Sequence, residues 1–186
     1  METDVVGAKE VFPLLVVDVG TWQLDFTQVT IIPPDAMPSA YHRLLVHHHH
    51  MTVTLEDHYQ DHLNVEVLSV RREDQSYHRE IVLRTQKQNR IVQFGVVRID
   101  LNCCSQSVQK AILAENTPLG RVLIEHNVLR RIEPTAFLKI APGKKLMNWM
   151  ELDRDMFLYG RMGVIFCDER PAIAVLEILA PLETIS

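Results

Sequence analysis

The chain has 186 residues, 47% hydrophobic and 23% charged, enough to bury a sizeable core in one domain. Its net charge of -5 and pI near 6.0 argue against nucleic acid or an anionic membrane surface as the main partner. No apolar run approaches the roughly 20 residues of a membrane span, the start lacks a basic signal segment, and Cys103, Cys104 and Cys167 give no disulfide framework; a cytoplasmic protein without membrane insertion is expected.

In chain order, Val11–Val19 is apolar but broken by Pro13 and reads as an N-terminal arm or edge element. Ile31-Ile32-Pro33-Pro34-Asp35 is a turn or extended link. A single domain is expected, with 1–35 as the arm and 36–186 as the core. After Pro38, Tyr41, Leu44 and Leu45 share one helical face, predicting a helix that ends near His47. The run His47-His48-His49-His50 follows. Four consecutive histidines rarely converge on one metal, so a polar joint between helices is the simpler reading and no metal is assigned. Thr52–Leu63 is the next helix, with its first turn near Met51.

Strands are expected over Asn64–Arg72, Tyr77–Arg84 and Arg90–Leu101, the last two paired as a hairpin. Alternation places Tyr77, Arg79, Ile81 and Leu83 on one face. An arginine among these apolar neighbours either snorkels at a sheet edge or waits in a pocket for an anion. Ser105–Glu115 is an amphipathic helix. Thr117 is a good N-cap and Pro118 suits the first helical position, so a helix over Pro118–Asn127 would turn the free amides of Leu119 and Gly120 outward, as anion sites do. Asn127–Pro142 returns to extended structure, Pro142–Lys145 is a turn, and Leu146–Met156 is a short helical insertion. Tyr159–Phe166 and Pro171–Ala180 form a closing hairpin of apolar strands. Glu177, inside the last strand, either faces outward or lines a pocket as a hydrogen-bonded acid. The element order predicts an α+β fold with a mostly antiparallel sheet.

Four local matches add to this reading: Leu44-Leu45-Val46 leading to Met51-Thr52, Tyr77-His78-Arg79-Glu80-Ile81-Val82-Leu83, Asn116-Thr117-Pro118-Leu119-Gly120-Arg121-Val122-Leu123, and Tyr159-Gly160-Arg161 with Leu176-Glu177-Ile178-Leu179-Ala180-Pro181. In their order, from about Leu44 to Pro181, the sequence resembles the chorismate pyruvate-lyase (4-hydroxybenzoate synthase) family. The resemblance implies a mostly antiparallel sheet with flanking helices forming flaps over a buried ligand pocket. It implies that Arg79 and the amides of Met51 and Leu119 hold a ring carboxylate, while Glu177 holds the hydroxyl at the other end. Arg79 and Glu177 would then be the catalytic residues, with no cofactor. Where a family enzyme has arginine after the glycine matching Gly95, this chain has Val96, with Arg98 as the available substitute. The histidine run and the length between Glu125 and Tyr159 also depart from the family.

The implied activity is elimination of pyruvate from chorismate to leave 4-hydroxybenzoate for quinone or phenolic compounds. Aromatisation drives it, and the enzyme's task is chiefly to hold one conformer, where orientation contributes about 7–11 kcal/mol in favourable cases. The alternatives are a non-catalytic sensor domain for a small aromatic acid, or a lyase making another hydroxybenzoate isomer. The expected partners are small molecules alone, with the chain a monomer or weak dimer.

Overall fold

The computed structural model describes residues 25–182. Alternating apolar residues build seven strands: β1 (Phe26–Ile32), β2 (Leu63–Glu73), β3 (Ser76–Thr85), β4 (Ile91–Asp100), β5 (Arg130–Pro142), β6 (Leu158–Cys167) and β7 (Arg170–Leu179). They form one sheet in the order β1-β5-β6-β7-β4-β3-β2, with every neighbouring pair antiparallel. The expected Val11–Val19 element lies outside the described residues. β1 falls within the stretch read as an arm, and it pairs with β5 at the sheet edge.

Among the described residues five α-helices connect the strands: α1 (Ser39–Leu45), α2 (Met51–Tyr59), α3 (Gln106–Leu113), α4 (Leu119–Glu125) and α5 (Lys144–Trp149). Local chemistry sets their ends. The Ser105 hydroxyl accepts from the Val108 amide at 3.4 Å and opens α3. Gln60 turns left-handed at φ 51° and stops α2, which therefore ends before the expected Leu63. α5 starts at Lys144, earlier than expected, because the Asp25 carboxylate accepts from the Lys145 amide at 2.5 Å.

The sheet is apolar on both faces. Val82, Phe94, Val96, Leu176 and Ile178 face α5, where Leu146 and Met150 complete one cluster. On the opposite face Val97, Ile99, Ile173 and Val175 pack against α3 and α4. Beside them Ile81, Leu83 and Leu179 pack against α1 and α2. The α+β class, the antiparallel sheet and the flanking helices are as expected from the sequence. No helix among the described residues is long and apolar enough to cross a membrane.

Candidate ligand pocket beneath two helix starts

The first turns of α2 and α4 meet above the sheet where the two apolar clusters adjoin. Gly120 permits the contact: a Cβ there would lie 2.9 Å from Thr52 Oγ1 and 3.2 Å from His50 Cβ. An ion pair between Arg121 and Glu56 also joins α4 to α2. Below them is a narrow cavity of about 40 Å³. Met51, Arg79, Leu119 and Glu177 all line it. The four residues singled out from the sequence therefore converge on one enclosure, from α2, β3, α4 and β7.

Sheet register sets the spacing on its floor. Ile81, Gly95, Glu177 and Arg161 lie at one level across β3, β4, β7 and β6. Arg79 sits one pleat along, level with Val97 and Val175. Two strand spacings and one pleat put the Arg79 and Glu177 Cα atoms roughly 12 Å apart. Both side chains line the cavity from that separation.

Arg79 is the least expected group. Only 1% of it is exposed, and its buried Nε and Nη1 atoms have no hydrogen-bond partner. Burial lowers its pKa, opposed by Tyr77 and Glu115. Tyr77 donates to Glu115 Oε1 at 2.8 Å, and its own pKa is pushed up to about 12 by burial and that bond. The snorkelling alternative is thus excluded: the guanidinium is sealed in, with donors to spare.

Met51 and Leu119 open α2 and α4, so their amides have no earlier carbonyl within the helix to bond. The route to the Leu119 amide differs from the expected one. Thr117 does not cap; its hydroxyl donates to Asn116 Oδ1 at 3.0 Å. Pro118 has ψ 139° and is itself the N-cap, its carbonyl accepting from Arg121 and Val122. Proline fixes φ but leaves ψ free, and the helix begins one residue later than the composition suggests.

Glu177 faces inward and accepts from Arg161 Nε at 2.6 Å, an ion pair with the carboxylate side chain 14% exposed and the arginine 2%. The rest of Arg161 holds the joint between α1 and α2. Nη1 donates to the carbonyls of Leu45 (3.2 Å) and His47 (2.9 Å), and Nη2 to that of His49 (3.0 Å). The histidine run is therefore tied down largely through its backbone. The His47 and His49 rings stack with centroids 5.7 Å apart. His47 Nε2 donates to the Leu44 carbonyl at 2.8 Å, leaving Nδ1 to face Arg161 at 3.3 Å. His50 Nε2 accepts from Arg130 Nε at 2.5 Å. Burial, then the neighbouring arginine, lowers the pKa of each from 6.5 to about 4, so both are neutral acceptors.

Two polar groups of the site had no assigned role in the sequence. Arg161 lay inside a matched motif, but its carbonyl partners are 112–116 residues away. Gln93 lines the cavity beside Gly95 and is 3% exposed. Alternation with Gly95 and Val97 was the signal that could have placed it on the pocket face. The same alternation corrects the reading of Arg98. Val96 packs in the cluster facing α5, and Arg98 lies beyond it on that far face, where its Nε donates to Ser76 Oγ at 3.3 Å. Neither reaches the pocket.

No protein-family model matches the chain, and no curated protein does. Solved structures do match. PhnF from Mycobacterium smegmatis superposes with a TM-score of 0.53 over 73% of this chain and 68% of that one, at 8% identity. The two share a fold. Also similar are the ligand-binding domain assigned to a GntR-family transcriptional regulator from Bordetella bronchiseptica (TM-score 0.48, 10% identity, 67% of this chain and 92% of that one) and a GntR-family regulator from Bacillus cereus (0.44, 10%, 67% and 98%). At such identities the likeness concerns architecture, and function has to be argued from the site.

Proposed function

We propose that this chain binds a small hydroxyaromatic carboxylic acid in the enclosed cavity, with 4-hydroxybenzoate as the simplest such ligand. The observation that carries this reading is Arg79, a sealed guanidinium with two unpartnered nitrogens in the cavity wall. Leaving such donors unmet is costly, and a carboxylate meets them bidentately. The first amides of α2 and α4 add two more donors, and Glu177, which lines the same cavity, supplies an acceptor for a hydroxyl. Calorimetric titration tests this. Binding of 4-hydroxybenzoate, weaker binding of benzoate, and none of 4-hydroxybenzyl alcohol is the expected order. Equal binding of the acid and the alcohol would remove Arg79 from the account.

Convergence of Met51, Arg79, Leu119 and Glu177 favours a second reading, chorismate lyase. There the ether C–O bond of chorismate breaks, the ring loses the hydrogen beside its hydroxyl, the enolpyruvyl fragment gains a proton, and 4-hydroxybenzoate and pyruvate leave. Arg79 would orient the ring carboxylate and Glu177 the hydroxyl. Incubation with chorismate, followed by chromatography, separates the two readings. Stoichiometric pyruvate and 4-hydroxybenzoate would establish the lyase; binding of 4-hydroxybenzoate without turnover would establish the sensor.

A further inference from the structure

The carboxylate and hydroxyl sites leave one polar group of the cavity without an occupant. Gln93 is 3% exposed, lines the cavity, and its Oε1 is buried with no hydrogen-bond partner. Its position is specific. On β4 it stands level with Leu83 and Leu179, one pleat beyond the level of Gly95 and Glu177 and two beyond that of Arg79. It is therefore at the end of the cavity away from the carboxylate anchor. Its side chain leans back toward Glu177: a Cβ on Gly95 would lie only 3.4 Å from Gln93 Nε2. Gly95 is the direct cross-strand partner of Glu177. The carboxamide nitrogen thus lies near Gly95, at the Glu177 level.

Two acceptors, the Glu177 carboxylate and the unpartnered Gln93 Oε1, belong to side chains that line this end of the cavity. A lone para-hydroxyl has one hydrogen, and Glu177, a carboxylate, takes it in preference. The Gln93 oxygen stays unmet. Resting on the carboxylate-pocket reading, we propose that Gln93 sets specificity for a ring acid with two adjacent hydrogen-bond donors opposite its carboxylate, of the 3,4-dihydroxybenzoate class. The para-hydroxyl donates to Glu177 and the neighbouring hydroxyl to Gln93 Oε1. A site with a buried polar group made for one substituent discriminates against ligands lacking it, because that group is left unpaired.

The test is a calorimetric comparison of three acids on the full chain: 4-hydroxybenzoate, 3,4-dihydroxybenzoate and 4-hydroxy-3-methoxybenzoate. The expected result is binding of the dihydroxy acid about tenfold or more tighter than either of the others. The methoxy acid fills the same position without a donor, so it separates hydrogen bonding from added bulk. In Gln93→Leu the ratio of dihydroxy to monohydroxy affinity should fall to about one. The ligand comparison in the unaltered chain stands even if that variant folds poorly. Equal affinities for the first two acids, or a preference that survives in Gln93→Leu, would overturn the role of Gln93 while leaving the pocket reading intact. Failure of all three acids to bind would overturn both.

Discussion

Replacing Arg161 with methionine removes the group that holds Glu177 and the α1–α2 joint together. The substitution deletes the 2.6 Å ion pair and frees the carbonyls of Leu45, His47 and His49. Breaking a buried pair by removing one partner costs about 3–5 kcal/mol, since the remaining charge is stranded. For a chain of this size that lowers Tm by roughly 6–20 °C, at about 2–4 °C per kcal/mol. The assay is thermal and urea unfolding of Arg161→Met, Glu177→Gln and the double variant. If the stranded carboxylate accounts for most of the loss, the double variant loses less than the sum of the singles, with a coupling of about 1–3 kcal/mol. The freed carbonyls keep the recovery incomplete. Strictly additive losses, or an Arg161→Met variant within about 1 kcal/mol of the parent, would show that the ion pair does not hold this joint.

Arg79 should behave in the opposite sense, because it is buried without full pairing. Arg79→Met should raise Tm by a few degrees in the absence of ligand and abolish acid binding in calorimetry, whereas a fall in Tm would place its value in packing. Arg79→Lys should weaken acid binding at least about tenfold, since lysine lacks the bidentate fork. Acid should destabilise the fold through His47 and His50. Their folded pKa values lie near 4 against 6.5 unfolded, so their contribution is complete above pH 6.5 and is lost as pH falls toward 4, when the unfolded chain takes up the extra protons. The pH dependence of the urea midpoint measures this, and it should flatten in a His47→Gln/His50→Gln variant; an unchanged slope would exclude the two rings. Gly120→Ala should cost roughly 1–3 kcal/mol by forcing Thr52 and His50 away from α4, and it should weaken ligand binding as the helix starts separate.

Much of this site was legible because strand alternation is a local rule. Arg79 among Tyr77, Ile81 and Leu83, and Glu177 within an apolar run, both stand out without any knowledge of topology. The helix starts at Met51 and Leu119 were readable from their turns, although Thr117 misled: a residue with the right hydroxyl stood one position too early for a helix that waits for Pro118 to turn. Arg161 was opaque because its meaning lies in backbone carbonyls more than a hundred residues away, and carbonyls carry no signature in composition. Gln93 was passed over because glutamine on a strand reads as solvent-facing until both faces are known to be covered. Arg98 misled for a related reason: counting residues past Gly95 ignores that each step of one changes face.

The level that joins Ile81, Gly95, Glu177 and Arg161 runs across four strands that are distant in sequence. Its integrity depends on chain length rather than residue identity. Adding or removing one residue within β4 or β7 would send Gln93, Gly95 or Glu177 through the sheet to the α5 side, even with every chemical group still present. Homologues can therefore diverge widely in letters and keep the pocket, whereas single-codon insertions and deletions within these strands should eliminate it. Length changes are better tolerated in the loops, where the ladder does not count them. A scan of one-residue deletions would trace the pocket as a set of intolerant intervals, without any ligand being known.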